Sequence, residues 1–172
     1  MTHDTRSRVF AGLGAVLMVL SLVAFVAMPA AAISSFTVTP NDDTAGATSN
    51  YTVSGTVDAS GTISEINLTL QNADLQSLSS SNTAVSIGGS DQPLSDVSGD
   101  GTDTVVITLQ SGSSVSGGEN VEITVTDQGI TNPQNTGTYD ASMGFGDGTS
   151  VFDTGTTTYT IGTVGAAPSV DS

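Results

Sequence analysis

The sequence contains no cysteine, no lysine and no tryptophan, and its only histidine is His3. Without cysteine no disulfide can form, so one hydrophobic core has to stabilise the fold. A serine or cysteine nucleophile paired with histidine or lysine cannot be built from the residues after His3. Metal sites with histidine or cysteine ligands are excluded for the same reason. We therefore predict a protein that is not an enzyme, with no catalytic residue and no cofactor.

Positive charge is confined to Arg6 and Arg8, against 17 acidic residues, and the formal net charge is −15. Asp4 is the only acidic residue before position 33, so the rest of the chain carries 16 acidic residues and no basic one. Molar salt screens such self-repulsion beyond about 3 Å, and a high net charge preserves solubility there. We predict a hypersaline environment. Nucleic acid is excluded as a partner, because binding phosphates requires basic groups.

The first 32 residues have the pattern of a secretory signal, with a basic head, an apolar run and three alanines before a polar stretch. Cleavage after Ala32 is predicted, which gives a signal peptide (1–32), a folded domain (33–164) and a flexible tail (165–172). The alternative is an uncleaved membrane anchor, because the apolar run is long enough to span a bilayer. In both cases the domain is extracellular or at the cell surface, and the membrane is contacted only through this segment and only if it is uncleaved.

Alternation of apolar and polar residues dominates the chain after Ala32. In 50–58, for example, tyrosine, glycine and valines share one face, while asparagine, serine, threonine and aspartate share the other. This period of two is typical of half-buried antiparallel strands, and the number and spacing of the stretches predict a two-sheet sandwich. The predicted strands are 36–38, 50–58, 65–70, 84–88, 105–109, 120–126, 138–145 and 157–162.

Two of the connections between these strands carry information on how the strands are arranged. The serine- and glycine-rich stretch 110–119 reads as a loop between two strands that are neighbours in one sheet. Gly137, Tyr139 and Ala141 follow the pattern of a tyrosine corner, a feature of immunoglobulin-like folds. The alternative for Tyr139 is an ordinary core tyrosine on a strand.

Three stretches carry a resemblance to a known group of proteins: SSFTVTPNDDTAGATSNYTVSGTV, SGTISEINLTLQNADL and ITNPQNTGTYDAS. They resemble the immunoglobulin-like modules of haloarchaeal exported cell-surface proteins, over most of residues 34–163. The resemblance implies an all-β fold, an immunoglobulin-like antiparallel β-sandwich of about seven or eight strands, preceded by an N-terminal hydrophobic signal helix. The resemblance implies a location at the cell surface and a fold more than it implies a biochemical activity.

Asp153-Thr154-Gly155-Thr156 copies the active-site sequence of aspartic proteases. That chemistry needs two aspartates that share a proton. The chain has one copy, and too few residues follow it to complete a lobe. Because Asp-Thr-Gly is also a common turn sequence, we interpret the motif as a turn.

Asp96, Ser98, Asp100 and Gly101 match the first half of a calcium-binding loop. Ile107 stands where the loop needs a glutamate, so an EF-hand is excluded. With Asp103 as a substitute ligand, the residues Asp96, Asp100 and Asp103 form a weak candidate site for Ca²⁺. The alternative, which we favour, is a solvated acidic β-turn. The stretch FGDGTS around Asp147 has even less support as a calcium loop.

Two sequons, at Asn50 and Asn67, predict N-glycosylation of a glycoprotein, because both asparagines fall on polar faces of their strands. Chance sequons are the alternative in a chain so rich in threonine.

Together these features favour a non-catalytic, structural or adhesive protein at the surface of a halophile. Its partners would be itself or other envelope proteins, as in a self-assembling envelope or filament subunit in which ISSFTVT is the donated strand. The alternative is an extracellular binding module for calcium or another ligand through its acidic loops. An exported hydrolase comes third and would need Asp153.

Overall fold

The structure, a computed structural model, describes residues 31–99 and 102–163. The predicted signal segment up to position 30 and the predicted tail lie outside these residues. Every regular element in the described ranges is a β-strand. The strands are β1 (Ala31–Ala32), β2 (Ser34–Pro40), β3 (Thr48–Thr56), β4 (Gly61–Leu70), β5 (Thr83–Ile87), β6 (Ser90–Gln92), β7 (Leu94–Gly99), β8 (Thr104–Val115), β9 (Asn120–Thr131), β10 (Gly137–Gly146) and β11 (Val151–Ile161).

The strands form two sheets with the core between them. One sheet has the order β1-β11-β10-β4-β8-β7, and the other has the order β2-β3-β9-β5-β6. All neighbours are antiparallel except β1, which runs parallel to β11 over two residues. None of the described residues forms a helix long and apolar enough to cross a membrane.

Two segments pass from one sheet to the other with a single residue between strands. In 31–40, β1 pairs with β11, and after Ile33 β2 pairs with β3. In 90–99, β6 pairs with β5, and after Pro93 β7 pairs with β8. Proline has no N–H to donate, which suits the point where one hydrogen-bond ladder ends and the next begins. Each lateral side of the sandwich is therefore bounded by a continuous segment that contributes an edge strand to both sheets.

The predicted strands agree with the structure. Each of the eight stretches overlaps one of the strands β2, β3, β4, β5, β8, β9, β10 and β11. The residues expected on inward faces are buried, except for the half-buried Tyr139. The all-β class and the two antiparallel sheets are thus confirmed. The pattern does not predict β6 and β7, because neither strand contains a fully buried residue.

The prediction that the strands flanking 110–119 are neighbours in one sheet is wrong. β8 pairs with β4 and β7, whereas β9 pairs with β3 and β5 in the other sheet. β8 continues to the buried Val115, and only 116–119 turns between the sheets. The Glu119 carboxylate closes this turn by accepting the Ser116 N–H at 2.6 Å. Composition marks such a turn but carries no information on which sheet the next strand joins.

Ile33 is the residue at which the first crossing segment changes sheets, and it is only 6% exposed. Two glycines, one in each sheet, make room for it. A Cβ on Gly55 would lie 2.5 Å from the Ile33 Cγ2, and a Cβ on Gly155 would lie 2.7 Å from the Ile33 Cβ. Real Cβ atoms do not approach other atoms so closely, so glycine is required at both positions. Ile33 therefore packs against β3 and β11 at once.

Replacing Gly155 with alanine should lower the free energy of unfolding by about 1–3 kcal/mol, the usual effect of overpacking a filled core. The control is Gly144→Ala on the neighbouring strand. A new Cβ there would meet its nearest atom at 3.3 Å, on the exposed Val151 side chain, so a change within about 0.5 kcal/mol is expected. Urea unfolding in molar salt measures both values. Equal losses in the two variants would contradict the proposed role of Ile33.

Candidate functional site

Asp153, the aspartate of the protease-like sequence, is buried inside the sandwich. It lies on β11 and is 1% exposed. Its Oδ2 accepts the backbone N–H of Asp58 at 2.8 Å and that of Ala59 at 3.3 Å. Both residues belong to the connection by which the chain crosses from β3 to β4. The carboxylate therefore fixes the path of the chain between the two sheets.

The interpretation of Asp-Thr-Gly as a turn is wrong, because the whole motif lies in β11. Thr154 and Thr156 are exposed, while Asp153 and Gly155 face the core. The residue types are those of a turn, but their inward and outward alternation is that of a strand. Within the described residues, the hydrogen-bond partners of Asp153 are backbone groups rather than the second carboxylate that protease chemistry requires.

The other carboxylate oxygen of Asp153, Oδ1, is buried and has no hydrogen-bond partner among the described residues. No other buried side-chain oxygen or nitrogen in that part of the chain lacks a partner. A buried polar atom without a partner is costly, typically by about 1–3 kcal/mol. Among the described residues, Asp153 is therefore the buried side chain with an oxygen that lacks a hydrogen-bond partner.

Two of the three calcium candidates, Asp96 and Asp103, lie far apart. Asp96 lies on β7 opposite Thr108 of β8, and Asp103 precedes β8 by one residue. Five residues of extended chain separate Asp103 from Thr108, which is about 16 Å. Two carboxylates that far apart cannot bind one ion at the usual distance of about 2.3–2.6 Å. Asp100 lies outside the described residues, and no group of three metal-binding side chains occurs within them.

A polar groove of about 700 Å³ crosses the outer face of the six-stranded sheet. Its floor is a row of hydroxyls in which Ser142 is paired with Thr69 on one side and with Thr156 on the other. Asp103 and Asp140 lie at one end of the groove. Hydroxyls and carboxylates of this kind can bind a hydrated cation or a polyol. The residues that line the polar groove are Thr69, Gln71, Asp103, Asp140, Ala141, Ser142, Thr156, Thr157 and Thr158.

Both sequon asparagines are half-buried on strands and are engaged in hydrogen bonds. The Asn50 Oδ1 accepts the Gln128 N–H at 2.7 Å, and the Asn67 Nδ2 donates to the Glu65 Oε1 at 3.0 Å. A glycan attaches at Nδ2, so a glycan on Asn67 would change the bond to Glu65. Glycosylation at both sites stays a prediction.

Tyr139 lies at the corner between β9 and β10, where its hydroxyl donates to the Asn135 carbonyl at 2.7 Å. This bond to the backbone four residues upstream is the geometry of a tyrosine corner. The Tyr139 ring lies 5.8 Å from the ring of Tyr159, which in turn meets Tyr51 edge-on at 6.3 Å. Burial raises the pKa of Tyr51 and Tyr159 well above the ordinary tyrosine range, and the neighbouring tyrosine adds to the rise in each case.

Asn132 is a buried residue that the sequence pattern does not single out. Its Oδ1 accepts the Tyr51 hydroxyl at 2.6 Å, and its Nδ2 donates to the carbonyls of Asp42 and Thr44 at 2.8 and 2.7 Å. It thereby ties the β2–β3 loop to the tyrosines. The only local signal is its place between the end of a strand and Pro133, which is equally typical of an exposed turn.

Asp147 organises the turn between β10 and β11. Its Oδ1 accepts the hydroxyl and the N–H of Thr149 at 2.7 and 2.8 Å, and the N–H of Ser150 at 2.8 Å. These hydrogen bonds lower the pKa of Asp147 to about 2, and the bond from the Thr149 hydroxyl has the largest effect on the pKa. The stretch FGDGTS is thus a turn closed by its own aspartate, with each bond directed to a neighbour in the chain.

Comparison with known proteins does not assign the chain to a family. No family model and no curated protein matches it. Among solved structures, the crystal structure of BslA, a bacterial hydrophobin, aligns with a TM-score of 0.46 and 12% identity. The alignment covers 76% of this chain and 92% of BslA. A likeness at this level carries no inference about function.

Asp147→Asn should destabilise the turn in a pH-dependent way. A carboxylate whose pKa is lower in the folded state stabilises the fold above its unfolded pKa of about 3.9, and that contribution is lost as the pH falls towards about 2. The difference in urea midpoint between wild type and variant should therefore be present at pH 6 and shrink towards pH 2. Thr149→Val, which keeps the carboxylate but loses one donor, should show part of the effect. A difference that does not change with pH would refute this account.

Proposed function

We propose that this protein is an exported, non-catalytic structural or adhesive protein at the surface of a halophile. The observation that carries the proposal is the character of the outer faces of the sandwich. In the described residues, those faces present hydroxyl, amide and carboxylate groups, and Val151 is the exposed large hydrophobic side chain. No basic residue occurs after Arg8. Such a surface is suited to remaining hydrated in concentrated salt.

An immunoglobulin-like plan supports the proposal. In variable-type immunoglobulin domains one sheet contains strands A, B, E and D, and the other contains G, F, C, C′ and C″. The neighbours β2-β3-β9-β5 correspond to the first set, and β11-β10-β4-β8-β7 correspond to the second. The chain visits the middle positions in reverse, because β5, at position D, precedes β7 and β8. We therefore propose an immunoglobulin-like sandwich, as the haloarchaeal resemblance implies, in which the middle strands follow a different order along the chain.

Self-assembly through strand donation is the specific form that we propose. Broad apolar contact between sandwich faces has no support in the described surface, so copies would join through backbone at the sheet edges. The segment ISSFTVT forms β2 at such an edge and buries Ile33, Phe36 and Val38 in its own sandwich. Donation would therefore be an exchange, in which each copy places this segment in the next copy.

A cysteine pair across β2 and β3 tests the exchange. Thr37 and Ser54 are opposite each other, with their hydroxyl oxygens 3.0 Å apart, so Thr37→Cys with Ser54→Cys should form a disulfide. The chain has no other cysteine to interfere. If copies exchange strands, oxidation of the assembled protein should give a ladder of covalent oligomers on a non-reducing gel. Oxidation before assembly, as the control, should give bridged monomers that no longer assemble.

Negative-stain microscopy of the purified protein in molar salt decides whether filaments form at all. Filaments with only internal bridges would contradict strand donation, and monomeric particles at every salt concentration would contradict the filament form. Intact mass of the native protein from cells and medium tests export and the glycans on Asn50 and Asn67 in the same experiment.

A binding module is the second candidate, and the polar groove supports it because Asp103 and Asp140 line it together with five hydroxyl side chains. Calcium titration by calorimetry in molar sodium chloride tests this reading. Saturable heat that is lost in the double variant Asp103→Asn, Asp140→Asn is expected if the groove binds calcium. The control, Asp91→Asn with Asp127→Asn, removes the same charge at exposed positions elsewhere and should bind as wild type does. Absence of saturable heat in the wild type would exclude calcium as the ligand.

A further inference from the structure

Asp153 and Ile33 are neighbours where the chain enters the fold. β1 and β11 run parallel with Ala31 opposite Asp153 and Ala32 opposite Thr154. The Ile33 N–H continues this pairing by donating to the Thr154 carbonyl at 2.9 Å. The Ile33 side chain packs on Gly155, which lies two residues after Asp153 on the same inward face. The backbone nitrogen of Ile33 is therefore held near Asp153, whose carboxylate has one oxygen without a hydrogen-bond partner among the described residues.

Export processing would change the chemistry of that nitrogen. The predicted cleavage after Ala32 makes Ile33 the first residue, so its amide nitrogen becomes an α-ammonium group. Because no lysine, arginine or histidine follows Arg8, this ammonium would be the one basic group of the processed chain. It would have three N–H donors, of which the Thr154 carbonyl takes one.

We propose that the α-ammonium of Ile33, formed by export processing, pairs with the buried carboxylate of Asp153 and completes its hydrogen bonding. This inference rests on the proposed export with cleavage after Ala32. Paired strands lie about 4.8 Å apart and rise about 3.3 Å per residue, so the nitrogen is within about 7 Å of the Asp153 backbone. The carboxylate lies on a side chain that points to the same inward face, and Oδ1 is free to accept the ammonium.

The charges around this pair all favour an ammonium. Asp58, whose Oδ1 accepts the Ser34 hydroxyl at 2.8 Å, is on the β3–β4 loop that Asp153 holds. Glu119 is on the adjacent turn, where its backbone carbonyl accepts the Val57 N–H. The inward side chains of β10 that face β11 are apolar, among them Met143 and Phe145. Because the pair is buried, molar salt would screen it far less than it screens surface charges.

The experiment uses the full precursor expressed in an exporting host, with the released protein purified from the medium. N-terminal sequencing and intact mass should show Ile33 as the first residue. Protein in the medium with a different first residue overturns this inference and leaves export in place. Protein retained in the cells overturns export itself.

Protonation of the amine is then followed through the Ile33 Cα resonance in protein labelled with ¹³C-isoleucine, in molar salt. An ordinary α-amine has a pKa of about 7.7–8.0. Pairing favours the charged form, so the folded chain should bind this proton at least about tenfold more tightly than the urea-unfolded chain. Asp153→Asn should abolish the difference, whereas Asp91→Asn, an equal change of charge on the exposed β6, should keep it. Equal proton affinity in folded and unfolded wild type overturns the proposal.

Acetylation supplies a test that needs no substitution, in case Asp153→Asn does not fold. The processed chain has no lysine, so an acetylating reagent followed by hydroxylamine modifies only the α-amine. The acetyl group occupies the place of the Ala32 carbonyl, which the unprocessed chain already accommodates. Acetylation should lower the urea midpoint at pH 6, and the loss should vanish as the pH rises through the amine's pKa in the folded state. No loss at pH 6 overturns the proposal.

Discussion

The absence of cations is the constraint on which the rest of the structure depends. A chain without lysine, arginine or histidine beyond position 8 cannot neutralise a buried carboxylate with a basic side chain. Its acidic and amide side chains are instead held by backbone and hydroxyl groups, as at Asp153, Asp147 and Asn132, although the Asp153 Oδ1 keeps no partner among the described residues. In each case the acidic or amide side chain fixes a connection between strands. The loops are therefore held by hydrogen bonds that salt screens little, because most are short contacts with neutral donors.

The sandwich has two differently built ends. At one end, Tyr51, Tyr139 and Tyr159 pack together, and their hydroxyls reach Asn132, the Asn135 carbonyl and the Gln71 carbonyl. Two connections, β9–β10 and β4–β5, are thus tied directly to one aromatic cluster, and Asn132 adds the β2–β3 loop. The opposite end has no tyrosine, and there Asp153 and Ile33 hold the chain entry and the β3–β4 crossing. Both proposals concern this second end, because the strand that would be exchanged begins with the residue that would carry the ammonium.

Sequence reasoning succeeded where the signal is local and failed where it is not. The alternation in 50–58 or 120–126 defines a strand and its inward face without any knowledge of its neighbours. Asp-Thr-Gly was misread because its composition is that of a turn, while burial of Asp153 depends on backbone N–H groups about 95 positions away. Spacing in the calcium pattern is uninformative for a related reason, since Asp96 and Asp103 are near in sequence but are held apart by the β7–β8 pairing.

The sequence by itself determined the all-β class, the eight main strands, their inward faces and the acidic, cation-free surface, because each is a property of composition or of period two. Only the tertiary structure decided which strands share a sheet, the sheet changes at Ile33 and Pro93, and the burial of Asp153. Those features follow from pairings between distant segments, and a period of two is satisfied equally well by many such pairings. Nothing in the sequence links Gly55 with Gly155. Only the structure shows that both leave space for the Ile33 side chain, which packs between them.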